Sequence, residues 1–110
     1  MRRLVRSWRR RVAVDGHSME PSLRPGDWLL VDPEAYRHRP AVRGELVVAV
    51  DPREPSRLLI KRVAQVLDEG RLTLAGDHPA HTHDRLIVAA GDVVGRPWLR
   101  YWPPPLAIIR

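Results

Sequence analysis

Cysteine and phenylalanine are absent from this 110-residue chain, and lysine occurs once. The lack of cysteine excludes disulfide bonds, thiolate metal sites and cysteine nucleophiles, and it leaves the redox compartment undecided. Hydroxyl nucleophiles are also scarce, because the sequence holds only four serines and two threonines. Each hydroxyl group can therefore be considered as a candidate in turn.

The length of the chain limits its domain organisation. A chain of this size can form one compact domain with one core, and it is too short for a catalytic domain plus a second folded module. The sequence contains no run of about 18 apolar residues that would span a bilayer, and its N-terminus lacks the apolar core of a signal peptide. We therefore expect a cytoplasmic or peripherally membrane-associated protein.

Arginines are concentrated at the start of the chain, whose net charge is +6. They are Arg2, Arg3, Arg6, Arg9, Arg10 and Arg11. Leu4, Trp8 and Val12 recur at a spacing of four, so a short helix would place them along one stripe. Residues 1–13 are thus expected to form either a disordered basic tail or a helix that binds a membrane surface or a partner. Such a charge would suit nucleic acid or anionic lipid.

Short apolar runs rich in β-branched residues, separated by turn residues, follow residue 14 and show no sustained helical period. They occupy residues 28–31, 45–50, 58–63, 71–75, 86–88 and 93–101. We predict a single compact all-β domain of six or seven strands over residues 14–104, with 71–75 as hairpin partner of the preceding strand. Three prolines at 103–105 predict the end of regular structure, because proline cannot donate a ladder hydrogen bond. Residues 105–110 are then expected to form a C-terminal tail.

Lys61 is the only lysine among 19 basic residues. The chain uses arginine at every other basic position, so a lysine that served only as a positive charge should also have been an arginine. Its retention indicates that the ammonium group does something that a guanidinium cannot do. Arginine does not lose its proton in proteins, whereas a buried lysine can become a neutral base. Its apolar neighbours Leu59, Ile60 and Val63 would supply the burial. The sequence therefore favours Lys61 as a base, and the alternative is a surface lysine retained by chance.

Ser18 is the hydroxyl that such a base would activate. A serine hydroxyl is a weak nucleophile until a neighbouring base removes its proton. His17 is adjacent, but in an extended segment neighbouring side chains point to opposite faces, which makes His17 a poor partner. Ser18 and Lys61 would form a Ser/Lys dyad that is chemically adequate for acyl transfer. Because the two residues are far apart in sequence, the fold has to bring them together.

Four segments of the chain, in this order, resemble the motifs of the type I signal peptidase family. Residues 16–27 resemble the motif around the nucleophile, 60–63 the motif around the lysine, 76–85 the third motif and 95–103 the closing strand. The resemblance covers residues 12–104. It implies a signal-peptidase-like fold, which is also that of the self-cleaving domain of phage-type repressors.

The resemblance implies roles for individual residues. Ser18 would be the acylating nucleophile and Lys61 its general base, and the backbone N–H of Ser18 would stabilise the oxyanion. Some relatives have a second, hydroxyl donor two residues before the nucleophile, where this chain has Gly16. Met19 and Pro21 would lie at the substrate pocket.

The third motif implies a set of residues that support the lysine. They are Gly76, Asp77, Thr82, Asp84 and Arg85. Thr82 would orient Lys61 through its hydroxyl group. Asp84 would pair with Arg85, although the serine that usually separates the two residues is missing. His78 replaces the usual asparagine.

The resemblance implies a serine endopeptidase that removes an N-terminal extension or signal-like peptide from a precursor polypeptide without a metal or another cofactor. The closing segment 95–104 looks like that of the short maturation proteases of nickel-type superoxide dismutase, so the precursor of that enzyme is one expected substrate. We expect no nucleic-acid partner, and the basic N-terminus suggests peripheral contact with a membrane surface. The oligomeric state is left open.

Two other classes of function remain alternatives. Imidazole and carboxylate groups that could hold zinc lie within eight residues. They belong to Asp77, His78, His81, His83 and Asp84, which could equally form a polar turn with solvated histidines. A non-enzymatic module could bind nucleic acid or lipid through the basic N-terminus. Nucleic-acid binding would normally require stacking aromatic residues among basic strand positions, and Trp28, Trp98 and Trp102 are more simply interpreted as core or turn residues.

Overall fold

The structure of the chain is a computed structural model that describes residues 11–81 and 83–110. These residues contain eight β-strands and three single-turn 3₁₀ helices. The strands are β1 (Arg11–Ala13), β2 (Trp28–Asp32), β3 (Leu46–Asp51), β4 (Glu54–Val66), β5 (Leu72–Ala75), β6 (Leu86–Val88), β7 (Val93–Trp102) and β8 (Ala107–Ile108). The 3₁₀ helices are Asp68–Gly70, Pro79–His81 and Ala90–Asp92. The predicted all-β class is confirmed.

The strands form one antiparallel sheet in the order β1-β2-β7-β3-β4-β5-β6, and β8 pairs with β7. The long strand β7 joins the two halves of the sheet, because it pairs with β2 along one part of its length and with β3 along another. The predicted hairpin between β4 and β5 is present, with Val63 opposite Leu74. This order leaves the connection from β1 to β2, which carries Ser18, free to reach the β4–β5 hairpin.

The observed strands differ from the prediction in three places. β4 begins at Glu54, four residues earlier than predicted, because Asp51 and Glu54 pair across a turn of only two residues. β1 uses the last three residues of the predicted N-terminal segment, where Arg11 pairs with Leu30. β8 follows the three prolines, so regular structure resumes within the predicted tail. Both β1 and β8 are too short to leave a pattern in the sequence, and they form only by pairing with longer strands.

Two clusters of buried apolar side chains stabilise the sheet. The first lies among β3, β4, β5 and β6, and it consists of Ala41, Val47, Ala49, Val63, Leu72, Leu74 and Val88. The second consists of Val14, Met19, Leu23, Leu29 and Leu46. Met19 and Leu23 belong to the same connection as Ser18. Burying a side chain such as Met19, which is 2% exposed, stabilises the fold by about 1.5–3 kcal/mol. The connection is therefore attached to the core on both sides of its turn.

Candidate active site

Lys61 lies on β4, where it is placed by main-chain pairing with β3. It stands opposite Val47, and its neighbour Ile60 stands opposite Val48. On the other side of β4, Arg62 pairs with Ala75 of β5. Lys61 is therefore positioned by the regular pairing of the sheet, and its side chain is half-buried.

Ser18 lies in a tight turn rather than in the extended segment that the sequence predicts. The Glu20 N–H donates to the His17 carbonyl at 3.1 Å, so Ser18 and Met19 occupy the two central positions of the turn. The His17 side chain is 73% exposed, and its Nδ1 is in hydrogen-bonding contact with the Glu20 carboxylate. His17 thus pairs with Glu20 and not with Ser18. The reason predicted for this separation, an extended backbone, is wrong.

The fold brings the Ser18 hydroxyl and the Lys61 amine together beside β4. Lys61 Nζ donates a hydrogen bond to Ser18 Oγ at 2.7 Å. Burial is the main cause of a lowered pKa for Lys61; the charge of Arg57 lowers the pKa further, Asp84 opposes this, and Arg53 adds a smaller lowering. Once Lys61 loses its proton, the same contact places a lone pair of the amine against the hydroxyl proton of Ser18. A neutral lysine in that position can act as a general base.

The backbone N–H of Ser18 is available as an oxyanion donor. It donates to no acceptor within residues 11–81 and 83–110. Gly16, two residues earlier, supplies no side-chain donor, and its φ of +82° is in the left-handed region that favours glycine. One main-chain donor next to the nucleophile is therefore what this segment provides.

Residues 76–78 lie directly behind the nucleophile. The His78 N–H donates to the Ser18 carbonyl at 2.8 Å. A Cβ at Gly76 would stand 2.6 Å from the Ser18 carbonyl oxygen and 3.2 Å from Ser18 Cβ. Any side chain at position 76 would therefore displace the serine. The resemblance implies that Gly76 supports the lysine, whereas the geometry places it against Ser18.

The carboxylate of Asp77 connects the serine segment to the lysine strand. It accepts a hydrogen bond of 2.6 Å from Ser22 Oγ and bonds of 3.0 and 2.6 Å from Nε and Nη2 of Arg62. Arg62 also donates to the Gly44 carbonyl at 2.9 Å. Burial would raise the pKa of Asp77, but the hydrogen bonds from Arg62 and Ser22 outweigh burial and lower the pKa. The sequence does not assign Ser22 or Arg62 to the site; the adjacency of Arg62 to Lys61 is the one signal that could have found it.

Asp84 contacts an imidazole rather than the arginine that follows it. Its carboxylate lies 3.1 Å from Nδ1 of His81. Among the residues that the structure describes, Asp84 forms no ion pair with Arg85, so the predicted pairing is wrong. The missing serine between them explains this, because adjacent side chains diverge. The predicted role of Thr82 falls on a residue outside the described ranges.

Two cavities adjoin the dyad. The larger, of about 520 Å³, is lined by residues of the Ser18 turn, of β4 and of the segment 81–86. The smaller, of about 140 Å³, shares Gly16, Ser18 and Lys61 with it and is also lined by Met19. Pro21 is exposed and lines neither of these two cavities. Ser18 and Lys61 therefore lie where two cavities meet.

Four of the five side chains of the alternative zinc cluster, all except that of His83, have other contacts. Asp77 binds Arg62, Asp84 binds His81, and the rings of His78 and His81 meet edge to face at 5.7 Å. In the described part of the chain, no three histidine, aspartate or glutamate side chains converge in a way that would hold a metal ion. The alternative of a metal site gains no support from this geometry.

The profile of the family described as signal peptidase, peptidase S26, matches residues 4–102. This chain belongs to the signal peptidase family. Members similar to it include mitochondrial inner membrane protease subunit 2 of Danio rerio. The two sequences are 30% identical over an alignment of 115 residues, which covers 83% of this chain and 63% of the relative. The mouse (Mus musculus) protein of the same description is 30% identical over 92 residues, covering 64% of this chain and 53% of the relative.

The chain therefore spans between about half and two thirds of the length of these signal peptidase relatives. No solved structure matches it. The resemblance to the family drawn from the four motifs is confirmed. Within residues 11–81 and 83–110, no helix is both long enough and apolar enough to cross a membrane.

Proposed function

We propose that this chain is a serine endopeptidase in which Ser18 is the nucleophile and Lys61 the general base, and that it cleaves a signal-like N-terminal extension from a precursor polypeptide. The observation that carries the proposal is the 2.7 Å contact between Lys61 Nζ and Ser18 Oγ at the junction of two cavities. Membership of the signal peptidase family and the protease descriptions of the two relatives support it.

The reaction would begin with the neutral form of Lys61. Its amine accepts the hydroxyl proton while Ser18 Oγ attacks the carbonyl carbon of the scissile peptide, and the Ser18 N–H stabilises the oxyanion that forms. The tetrahedral intermediate collapses, the C–N bond breaks, and the Lys61 ammonium returns its proton to the departing amine. Water then attacks the ester on Ser18, again with Lys61 as base, and releases the carboxylate product and the free serine.

The smaller cavity supports a preference for small residues beside the cut. Its volume of about 140 Å³, with Ala13, Met19 and Ile60 among the residues that line it, suits a short side chain better than a large one. Met19 is itself buried in the core, so one wall of this cavity is fixed.

The substrate that we propose to test first is the precursor of nickel-type superoxide dismutase. The support is the resemblance of segment 95–104 to the maturation proteases of that enzyme. Peripheral contact of the enzyme with an anionic membrane surface is a second proposal, which depends on the six arginines of residues 1–11. Residues 1–10 lie outside the described ranges, so this proposal rests on the sequence.

The experiment is mass spectrometry of a mixed peptide pool, and of the superoxide dismutase precursor, after incubation with the wild-type chain, Ser18→Ala and Lys61→Arg. We expect the wild type to cut after small residues and both variants to lose activity by on the order of 10⁴-fold or more. Lys61→Arg keeps the charge but removes any base that is neutral at ordinary pH. Equal cutting by Lys61→Arg would contradict the role of Lys61.

A matched control separates loss of chemistry from loss of folding. Ser56→Ala removes a hydroxyl from an exposed position of β4 and should leave cleavage unchanged. Thermal unfolding of all variants should show native melting behaviour. A Ser18→Ala variant that is folded and still cuts at the wild-type rate would show that Ser18 is not the nucleophile.

A further inference from the structure

The arginines around the dyad differ in whether a carboxylate already binds them. Arg53 is held by Asp51, which accepts hydrogen bonds from its Nε at 3.1 Å and its Nη2 at 3.2 Å. Arg62 is held by Asp77 at 2.6 Å. Arg57, which lies between them in sequence on β4, is exposed, and its side chain forms no hydrogen bond or ion pair within the described ranges. Its charge also contributes to the lowered pKa of Asp51, but its guanidinium group has N–H donors left to bind an anion.

Arg57 also lies close to the reacting atoms. It lines both cavities that adjoin the dyad, as Ser18 and Lys61 do. After burial, its charge is the largest cause of the lowered pKa of Lys61, which places the guanidinium within electrostatic range of the base. A substrate group bound there would be next to the scissile bond.

The charge of the larger cavity favours an acidic group at this place. Its lining contains Arg53, Arg57 and Arg85 and only two carboxylates, those of Asp15 and Asp84. Asp84 is in contact with His81. Arg85 has no carboxylate partner within the part of the chain that the structure describes. Asp15 lines both cavities and carries the opposite charge, so the expected preference is confined to one substrate position near Arg57 and is not a general attraction for acidic peptides.

We propose that Arg57, assisted by Arg85, selects polypeptides that carry an aspartate or glutamate side chain near the scissile bond. The planar guanidinium presents paired N–H donors that match a carboxylate, and such charge-assisted pairs are stronger than neutral hydrogen bonds. This inference deepens the proposed peptidase function of the same site and rests on it.

The first test compares cleavage of synthetic peptides that share one alanine-rich sequence and carry a single Glu, Gln or Lys at each position within about four residues of the cut. We expect the wild type to prefer Glu over Gln by about tenfold in kcat/KM at one position, as a charge-assisted hydrogen bond would produce. Arg57→Glu should reverse the preference to Lys at that position. Arg43→Glu, which makes the same charge change at an exposed turn that lines neither cavity, should keep the wild-type order.

A second measurement separates this inference from the proposed function. The same peptides, labelled with a fluorophore, are titrated against Ser18→Ala alone and against Ser18→Ala combined with Arg57→Glu. If Ser18→Ala binds the Glu peptide more tightly than the Gln peptide, and Arg57→Glu abolishes that preference, the inference is upheld. It is upheld even if the wild type cuts no peptide, an outcome that would overturn only the peptidase proposal. Cleavage with equal rates for Glu and Gln at every position would uphold the peptidase proposal and overturn the inference. Absence of any Glu preference in both assays overturns it as well.

Discussion

Ser18 and Lys61, the proposed nucleophile and base, come from two regions of the molecule that are built differently. Lys61 lies in a strand of 13 residues that pairs with β3 on one side and β5 on the other. Ser18 lies in a turn whose position depends on the buried side chain of Met19 and on contacts with residues 76–78. The position of the base is thus set by the main chain, and that of the nucleophile by a few individual contacts. Changes around Ser18 should therefore affect activity more than they affect stability.

Among the changes that test this comparison, Gly76→Ala should have the largest effect. The added Cβ would stand 2.6 Å from the Ser18 carbonyl oxygen, so the turn must shift relative to Lys61. A displacement of about 1 Å at a reacting group can cost on the order of 10²-fold in rate, while overpacking costs about 1–3 kcal/mol of stability. Steady-state kinetics and thermal unfolding of the same preparation would measure both quantities.

Gly91→Ala is the matched control for this change. Nothing lies within 4 Å of a Cβ at Gly91, and its φ is outside the left-handed region. We expect wild-type activity and a small change in stability. Wild-type activity in Gly76→Ala would mean that the turn tolerates displacement, and the comparison between the two regions would fail.

The second-largest effect is expected from Met19→Ala, which distinguishes the Ser18 turn from the rest of the core. Met19 is 2% exposed and Leu72 is 3% exposed, so Met19→Ala and Leu72→Ala should each destabilise the protein by about 2–5 kcal/mol. Only Met19 adjoins Ser18 and lines a cavity at the dyad. At a temperature where both variants are folded, kcat/KM should fall for Met19→Ala and stay near wild type for Leu72→Ala. Equal losses would show that activity follows global stability alone.

A smaller effect is expected from Asp77→Asn, which weakens the connection between Ser22 and Arg62. Hydrogen bonds to a charged group typically contribute about 1.5–3 kcal/mol, and we expect a loss of that order together with a modest fall in activity. The folded-state pKa of Asp77 is lowered, so its contribution is complete above the unfolded pKa of about 3.9 and is lost as the pH falls through the lower folded value.

Chemical denaturation at several pH values checks this sign. The stability difference between wild type and Asp77→Asn should be constant near neutral pH and should shrink at acid pH. A difference that grows on acidification would contradict the assignment of Asp77 as an ionised partner of Arg62. Asp92→Asn provides a control, because Asp92 accepts only a local hydrogen bond from the Ala89 N–H.

The smallest effects concern the pH at which the base becomes active. Activity requires neutral Lys61, so kcat/KM should rise with pH as Lys61 loses its proton. The charge of Arg57 lowers the pKa of Lys61 and that of Asp84 raises it. Arg57→Gln should therefore move the rise in activity to higher pH, and Asp84→Asn should move it to lower pH. Shifts in the same direction for both variants would exclude an electrostatic origin.

The sequence predicts the features that follow from a recurring apolar pattern or from an unusual residue composition. Short apolar runs between turn residues give the positions of β2, β3, β5, β6 and β7 to within a residue or two, because buried strands of a small sheet favour such runs. The solitary lysine predicts a position where a neutral amine is needed, since a guanidinium cannot replace one, and this role of Lys61 stays a prediction. These inferences need only local information or an unusual composition.

The features that the sequence did not predict depend either on contacts between distant segments or on a choice among several local partners. Nothing local shows that Gly76 must lack a side chain, because the obstacle is the Ser18 carbonyl. The sequence also does not show that Asp77 contacts Ser22 or that Asp84 contacts His81, because each carboxylate has several possible partners. The early start of β4 depends on Asp51, whose carboxylate accepts a 2.9 Å hydrogen bond from the Arg53 N–H and closes the two-residue turn.

One carboxylate, that of Asp77, binds the segment of the nucleophile through Ser22 and the strand of the base through Arg62. We therefore expect a shift of the turn to be accompanied by a shift of the strand, so that the two groups move together instead of independently. The distance between Oγ and Nζ would then be better preserved than the position of either group in the molecule. In this small domain, the proposed reactivity of Ser18 would tolerate motion of the turn and of β4, provided that the two move as one body.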